Sequence, residues 1–145
     1  MLLTRQGSVP ATVAAAIAEL NPAEVVVVGG PNSVSNGVYA DLGADARLAG
    51  DDRWETNVAI TASYAADAPQ AYVASGLKWP DALTGAALAG SQGAPMLLTH
   101  PDALPSVIET EFNRLSPADV TIFGGHASVS QAVEDELNAL LPSWQ

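Results

Sequence analysis

Residues 25–42, VVVVGGPNSVSNGVYADL, return near the other end of the chain as residues 120–137, VTIFGGHASVSQAVEDEL. The offset of 95 residues holds upstream without a gap. Met1-Leu2-Leu3-Thr4 recurs as Met96-Leu97-Leu98-Thr99, Pro10 as Pro105, and Leu20, Pro22 and Ala23 as Leu115, Pro117 and Ala118. Residues 1–42 and 96–137 share 16 identical pairs, too many and too well ordered for shared composition, so the chain carries a duplication. Each copy runs a β-branched stretch into a glycine pair, then a Val-Ser step, then apolar residues at helical spacing, which is the pattern of strand, tight turn and helix.

The rest of the chain continues the alternation. A helix is expected over residues 9–20 with Pro10 in its first turn. Residues 25–28 are apolar without a break, as in a strand covered on both faces. Ser33 is placed to cap a helix whose inward positions are Val34, Val38 and Leu42, with Gly43 closing it. Arg47-Leu48-Ala49 reads as a short strand. The acidic stretch from Asp51 then starts a helix over residues 53–66, with Trp54, Val58 and Ile60 or Thr61 inward. Residues 71–74 form a further strand, and Pro80 opens a small-residue helix over 81–90. Counting Met1-Leu2-Leu3-Thr4, this gives a Rossmann-like α/β fold: a mostly parallel sheet of about six strands with helices on both faces, built from a 95-residue repeat. Residues 1–46 supply the second half of one repeat module and 47–145 a complete one, and the two could pack as one domain.

With 145 residues and 48% apolar composition the chain can bury a core. A net charge of −11 with five basic residues argues against nucleic acid or an anionic membrane surface, since phosphate binding needs clustered positive charge. No stretch is apolar for the roughly 18 residues a spanning helix needs, so membrane insertion is not expected. The absence of cysteine removes disulfides and thiolate chemistry.

Five ordered segments together resemble a known family: Arg47-Leu48-Ala49-Gly50-Asp51-Asp52-Arg53-Trp54-Glu55-Thr56, Ala74-Ser75-Gly76 with Trp79-Pro80-Asp81-Ala82-Leu83, Ala94-Pro95-Met96-Leu97-Leu98-Thr99, Leu104-Pro105, and Phe123-Gly124-Gly125 with Val129-Ser130. They are similar to the type 2 cell wall binding repeat (CWB2) found in tandem on Gram-positive cell-surface and S-layer proteins. Trp54 stands where the family has tyrosine, and Met96 where it has isoleucine. The resemblance implies a non-catalytic, extracellular module that anchors a surface protein to an anionic secondary cell-wall polymer. It also implies clustering of three modules. One and a half modules cannot complete that arrangement, so like modules in cis or a homo-oligomer, such as a trimer, become expected partners.

In an open α/β sheet, ligands bind beyond the carboxyl ends of the strands. There the polymer contacts expected are Arg47, Arg53, Trp54, Lys78, Trp79 and Asp81, with Lys78 and Trp79 forming a saccharide-type pair of cation and aromatic face. The loops at Gly29, Gly30 and Ser33 and at Gly124, Gly125 and Ser128 could cradle an anion with backbone N–H groups. They lack dinucleotide or Walker spacing and a following Lys, so a tight βα turn is the preferred explanation and the anion site the second. Asp51, Asp52, Glu55 and Asp81 each have a capping or first-turn role, and His100 and His126 align with Arg5 and Pro31 in the other copy. No catalytic residue, cofactor or metal is therefore expected. A self-associating repeat scaffold is the alternative, and a nucleotide-binding α/β enzyme the second.

Overall fold

The computed structural model describes residues 1–141. The chain separates into two compact units, Met1–Thr56 and Asn57–Gln145. The first holds helix α1 (Ala11–Leu20), strand β1 (Val26–Val28), helix α2 (Asn36–Asp41) and strand β2 (Ala46–Leu48). Helix α3 (Arg53–Thr61) spans the division. The second unit continues with β3 (Ala71–Ser75), α4 (Trp79–Gln92), β4 (Met96–Thr99), α5 (Ser106–Leu115), β5 (Val120–Phe123) and α6 (Gln131–Leu140).

In the first unit β1 and β2 pair in parallel, Val27 opposite Arg47. Val27 turns inward and packs with Val34 and Val38, against which Val9, Tyr39 and Leu42 also lie. The three positions expected inward do face this cluster, but of them only Val38 lies within α2; Val34 precedes the helix and Leu42 caps its end. Its cap is different: Ser35 accepts the hydrogen bond from the Val38 N–H at 3.2 Å. Ser33 does not serve, because α2 begins only at Asn36 and Ser33 lies in the preceding turn, its N–H on the Gly30 carbonyl. Replacing Ser35 by alanine should cost α2 about 1 kcal/mol, read as faster amide exchange at Val38, whereas Ser33→Ala should change it by less than about 0.5 kcal/mol.

The second unit is a three-stranded parallel sheet of order β4-β3-β5. β3 is buried at all five positions, so both of its faces are covered. On one face Tyr72, Met96 and Phe123 pack with Ala89 of α4. Gly85 makes that approach possible: a Cβ there would stand 2.8 Å from the Met96 methyl and 2.9 Å from the Phe123 ring. Val73 and Leu97 alternate to the opposite side, and α5 and α6 bury Ile108, Phe112, Leu115, Val133 and Leu137.

A single six-stranded sheet is therefore not what forms; the described residues make five strands in sheets of two and three. Met1-Leu2-Leu3-Thr4 is not a strand, although the same four residues at Met96–Thr99 are β4. β4 has β3 to pair with, whereas residues 1–4 pair with no strand among the described residues. α3 ends at Thr61, five residues short of the expected stop, where Thr61 turns its hydroxyl onto the Asn57 carbonyl and the Glu111 carboxylate. Its buried positions are Asn57 and Thr61, with Trp54, Val58 and Ile60 only half-buried.

The duplicated segments adopt matching local conformations. Gly29 and Gly124 take φ of 108° and 112°, and Asn21 and Ser116 end α1 and α5 at φ of 41° and 43°. The Ser35 N–H donates to the Gln6 carbonyl and the Ser130 N–H to that of Pro101.

Candidate functional site

The first group of expected residues gathers at the carboxyl ends of β1 and β2. Gly29 closes β1 with its N–H on the Leu48 carbonyl at 2.8 Å. Arg47 reaches across from β2, and its Nη1 donates to the carbonyls of Gly29 at 2.5 Å and Val34 at 2.9 Å. Its guanidinium carbon lies 5.0 Å from the centre of the Tyr39 ring, close enough for a cation–π contact. Nη2 is buried and has no hydrogen bond among the described residues. Arg47 is thus a buckle across the Gly29–Gly30 turn, its charge directed inward.

Beyond β2 the chain passes Gly50, where a Cβ would stand 2.1 Å from that of Glu55, so the turn into α3 needs glycine. Asp52 caps the helix, its Oδ1 accepting from the Trp54 and Glu55 N–H groups at 2.8 and 2.9 Å. Glu55 reaches back to the Asp51 N–H at 2.8 Å. These carboxylates serve the helix start. Arg53 is exposed, its guanidinium 5.9 Å from the Trp54 ring centre.

The second group gathers at the carboxyl ends of β3 and β5. Lys78 donates from Nζ to the Ala127 carbonyl, so this turn too is buckled by a cation from the neighbouring strand's end. Asp81 lies so close that a Cβ on Gly124 would meet its Oδ2 at 2.8 Å and Ser128 at the same distance. Trp79 begins α4 and is 70% exposed. Lys78, Trp79, Asp81, Gly124 and Ser128 are therefore brought to one end of this sheet, with Gly125 in the same turn.

The two glycine loops close in the same way. The amides of Ser33 and Val34 donate to the Gly30 carbonyl, and those of Ser128 and Val129 to the Gly125 carbonyl. These four N–H groups are spent on closing the turns. Among the described residues no three His, Asp or Glu side chains converge as a metal site, and no helix is long and apolar enough to cross a membrane.

Two structural residues escaped sequence reasoning. Asn57 is buried and matches its side-chain amide to the backbone of β4, donating to the Met96 carbonyl and accepting from the Leu98 N–H, both at 2.8 Å. Glu111 is also buried, held by a two-pronged contact with Arg114 and by the Thr61 hydroxyl, each bond 2.7 Å. Burial alone would raise the Glu111 carboxyl, but the Arg114 and Thr61 hydrogen bonds prevail and hold it below its ordinary value. The signal for Glu111 was available: it falls on the stripe Ile108, Phe112, Leu115, where an acid must find a partner.

Residues 47–134 match the family described as cell wall binding domain 2 (CWB2). The chain belongs to the cell wall binding domain 2 family. The CWB2 match covers both sides of the Lys78–Asp81 and Gly124–Ser128 cluster, and membership makes cell-wall binding the general role of this chain. Two proteins of Bacillus subtilis (strain 168) are similar along 94% of it: N-acetylmuramoyl-L-alanine amidase LytC, 28% identical over 137 residues, and Amidase enhancer, 32% identical over 140. The chain spans only 28% and 19% of those proteins. Among solved structures, Cwp6 from Clostridium difficile shares the fold at a TM-score of 0.82 and 24% identity, and Cwp8 at 0.78 and 28%. Each match takes in 97% of this CWB2 chain and about a quarter of the other, 23% and 24%.

Proposed function

We propose that this CWB2 chain is a non-catalytic, extracellular anchor that holds a surface protein to an anionic secondary polymer of the cell wall. The observation that carries the reading is the exposed Trp79 beside Lys78 at the strand ends of a family-matched unit. An aromatic face next to a cation suits a charged saccharide, the ring stacking on the sugar and the ammonium, one proton of which holds the Ala127 carbonyl, meeting the acid with the others. Arg53 with Trp54 repeats the pairing at the start of α3. Asp81 and Arg47 contribute by fixing the loops rather than by reaching outward. The net charge of −11 opposes an anionic partner at long range, so contact rests on these local cations or on a bridging divalent ion. In the second case a chelator weakens binding to isolated walls. Trp79→Ala should leave the fold intact, because the ring is exposed, and weaken wall binding about tenfold; unchanged sedimentation of this variant with walls would count against the site.

A second reading, association with like modules, is favoured by the first unit. Leu2 and Leu20 are exposed there, while their counterparts Leu97 and Leu115 are fully buried. Val26 and Val28 are also exposed. A monomer that is independent of concentration in sedimentation velocity would argue against it.

A further inference from the structure

β4 is an edge strand and, among the described residues, pairs only with β3. The Pro95 and Thr99 carbonyls accept from the Tyr72 and Gly76 N–H groups at 2.9 and 2.8 Å, so these residues turn their backbone groups toward β3. Alternation along the strand turns those of Met96 and Leu98 outward. An outward row of this kind is a template for a strand of another chain. Of the usual deterrents β4 has only its length of four residues. Residues 82–101 contain no Asp, Glu, Lys or Arg, so no formal charge stands in β4 or its flanks. Pro95 does not help, because its nitrogen lies on the β3 side with its carbonyl. What occupies the edge is the Asn57 carboxamide. It donates to the Met96 carbonyl and accepts from the Leu98 N–H, both at 2.8 Å, the two bonds that one residue of a parallel neighbour strand would make. Asn57 is 6% exposed, so the middle of the edge is filled and dry.

We propose that Asn57 guards this edge against a second copy of the chain. With the amide gone, two β4 edges can meet antiparallel about a two-fold axis at Leu97, Met96 of each copy opposite Leu98 of the other. The outward N–H and C=O groups of both residues then find partners, and two three-stranded sheets become one of six. Such pairing is self-complementary and needs only one edge per copy, and backbone bonds supply its affinity. Asn57 prevents it twice over, once from each copy. This role is separate from wall binding and from any association through the exposed residues of the first unit.

The test is sedimentation velocity of the full chain and its Asn57→Ala variant over about 10–500 µM, with amide exchange at Leu98 followed alongside. A domain of ordinary stability stays folded after this loss, which circular dichroism verifies. If Asn57→Ala is not folded, Asn57→Ser, whose hydroxyl is too short to span both β4 groups, replaces it with the same expectation. The variant should self-associate about tenfold more tightly than the unaltered chain. Its Leu98 amide, unprotected when dilute, should exchange more slowly as concentration rises. Asn57→Asp separates edge opening from lost stability: it is destabilised too, but it leaves a charge on the edge and should associate no more than the unaltered chain at neutral pH. A variant as monomeric as the unaltered chain overturns the proposal. So does equal association by Asn57→Asp, or association that leaves Leu98 exchange unchanged.

Discussion

Asn57→Ala should destabilise the second unit by about 3 kcal/mol, from two lost hydrogen bonds and two backbone groups left poorly solvated. The side chain is buried and spends both halves of its amide on β4, an edge strand that otherwise pairs only with β3. Asn57 does for that edge what another strand would do, at the cost of one side chain. Asn57→Leu should fare no better, since it fills the space but satisfies neither the Met96 carbonyl nor the Leu98 N–H. Asn57→Asp keeps the acceptor for Leu98 while aiming a charge at the Met96 carbonyl, so it should recover stability only as the carboxyl protonates in acid. Urea unfolding measures the loss, and amide exchange at Leu98 locates it. A change under about 1 kcal/mol, or an unaltered Leu98 amide, would show that the edge is closed by something else.

Arg114→Met should cost about 3 kcal/mol at neutral pH, because it leaves the buried Glu111 carboxylate with only the Thr61 hydroxyl. Glu111 is 4% exposed and Arg114 40%, so the penalty comes from the stranded acid and not from the half-hydrated guanidinium. Arg114 also donates to the Tyr64 and Thr61 carbonyls at 3.0 and 3.1 Å, tying α5 to the chain that leaves α3. The pH dependence distinguishes this account from simple loss of packing. In the native protein the Glu111 carboxyl is held below its ordinary 4.5. Its pairing therefore stabilises above the unfolded value and is lost as pH falls through the folded one. In the variant, burial is opposed only by Thr61 and raises the carboxyl, so the variant is penalised as pH rises through the ordinary carboxylate range and above. The gap between the two should narrow steadily below about pH 5. A gap of constant size would contradict this. The double change of Glu111 and Arg114 to methionine should recover most of the loss.

How much of this was legible beforehand depends on whether a residue's partner was local. The βα alternation, the inward face of α2 and the glycine turn after each long apolar run were readable, because spacing and turn chemistry decide them within a few residues. Met1-Leu2-Leu3-Thr4 was not. The same tetrapeptide is β4 in one copy and no strand in the other, so its state is decided by the presence of β3 and Asn57 and not by propensity. Ser33 was expected to cap α2, but the turn after Gly30 runs on through Ser33 and delays the helix to Asn36, so Ser35 takes the role. The end-of-strand cluster of Lys78, Trp79, Asp81 and Gly124 followed from the rule that ligands sit beyond strand ends. Arg47, named with it as an outward contact, is engaged inward by the Gly29 and Val34 carbonyls, which spacing alone could not reveal.

The wall-anchoring account meets its most direct test in co-sedimentation of the purified chain with isolated Gram-positive cell walls, compared before and after extraction of their anionic secondary polymer. Binding to intact walls that is lost with the polymer, and weakened about tenfold in Trp79→Ala, is the predicted result. Failure to sediment with intact walls at low and moderate salt, or equal binding to extracted walls, would contradict it.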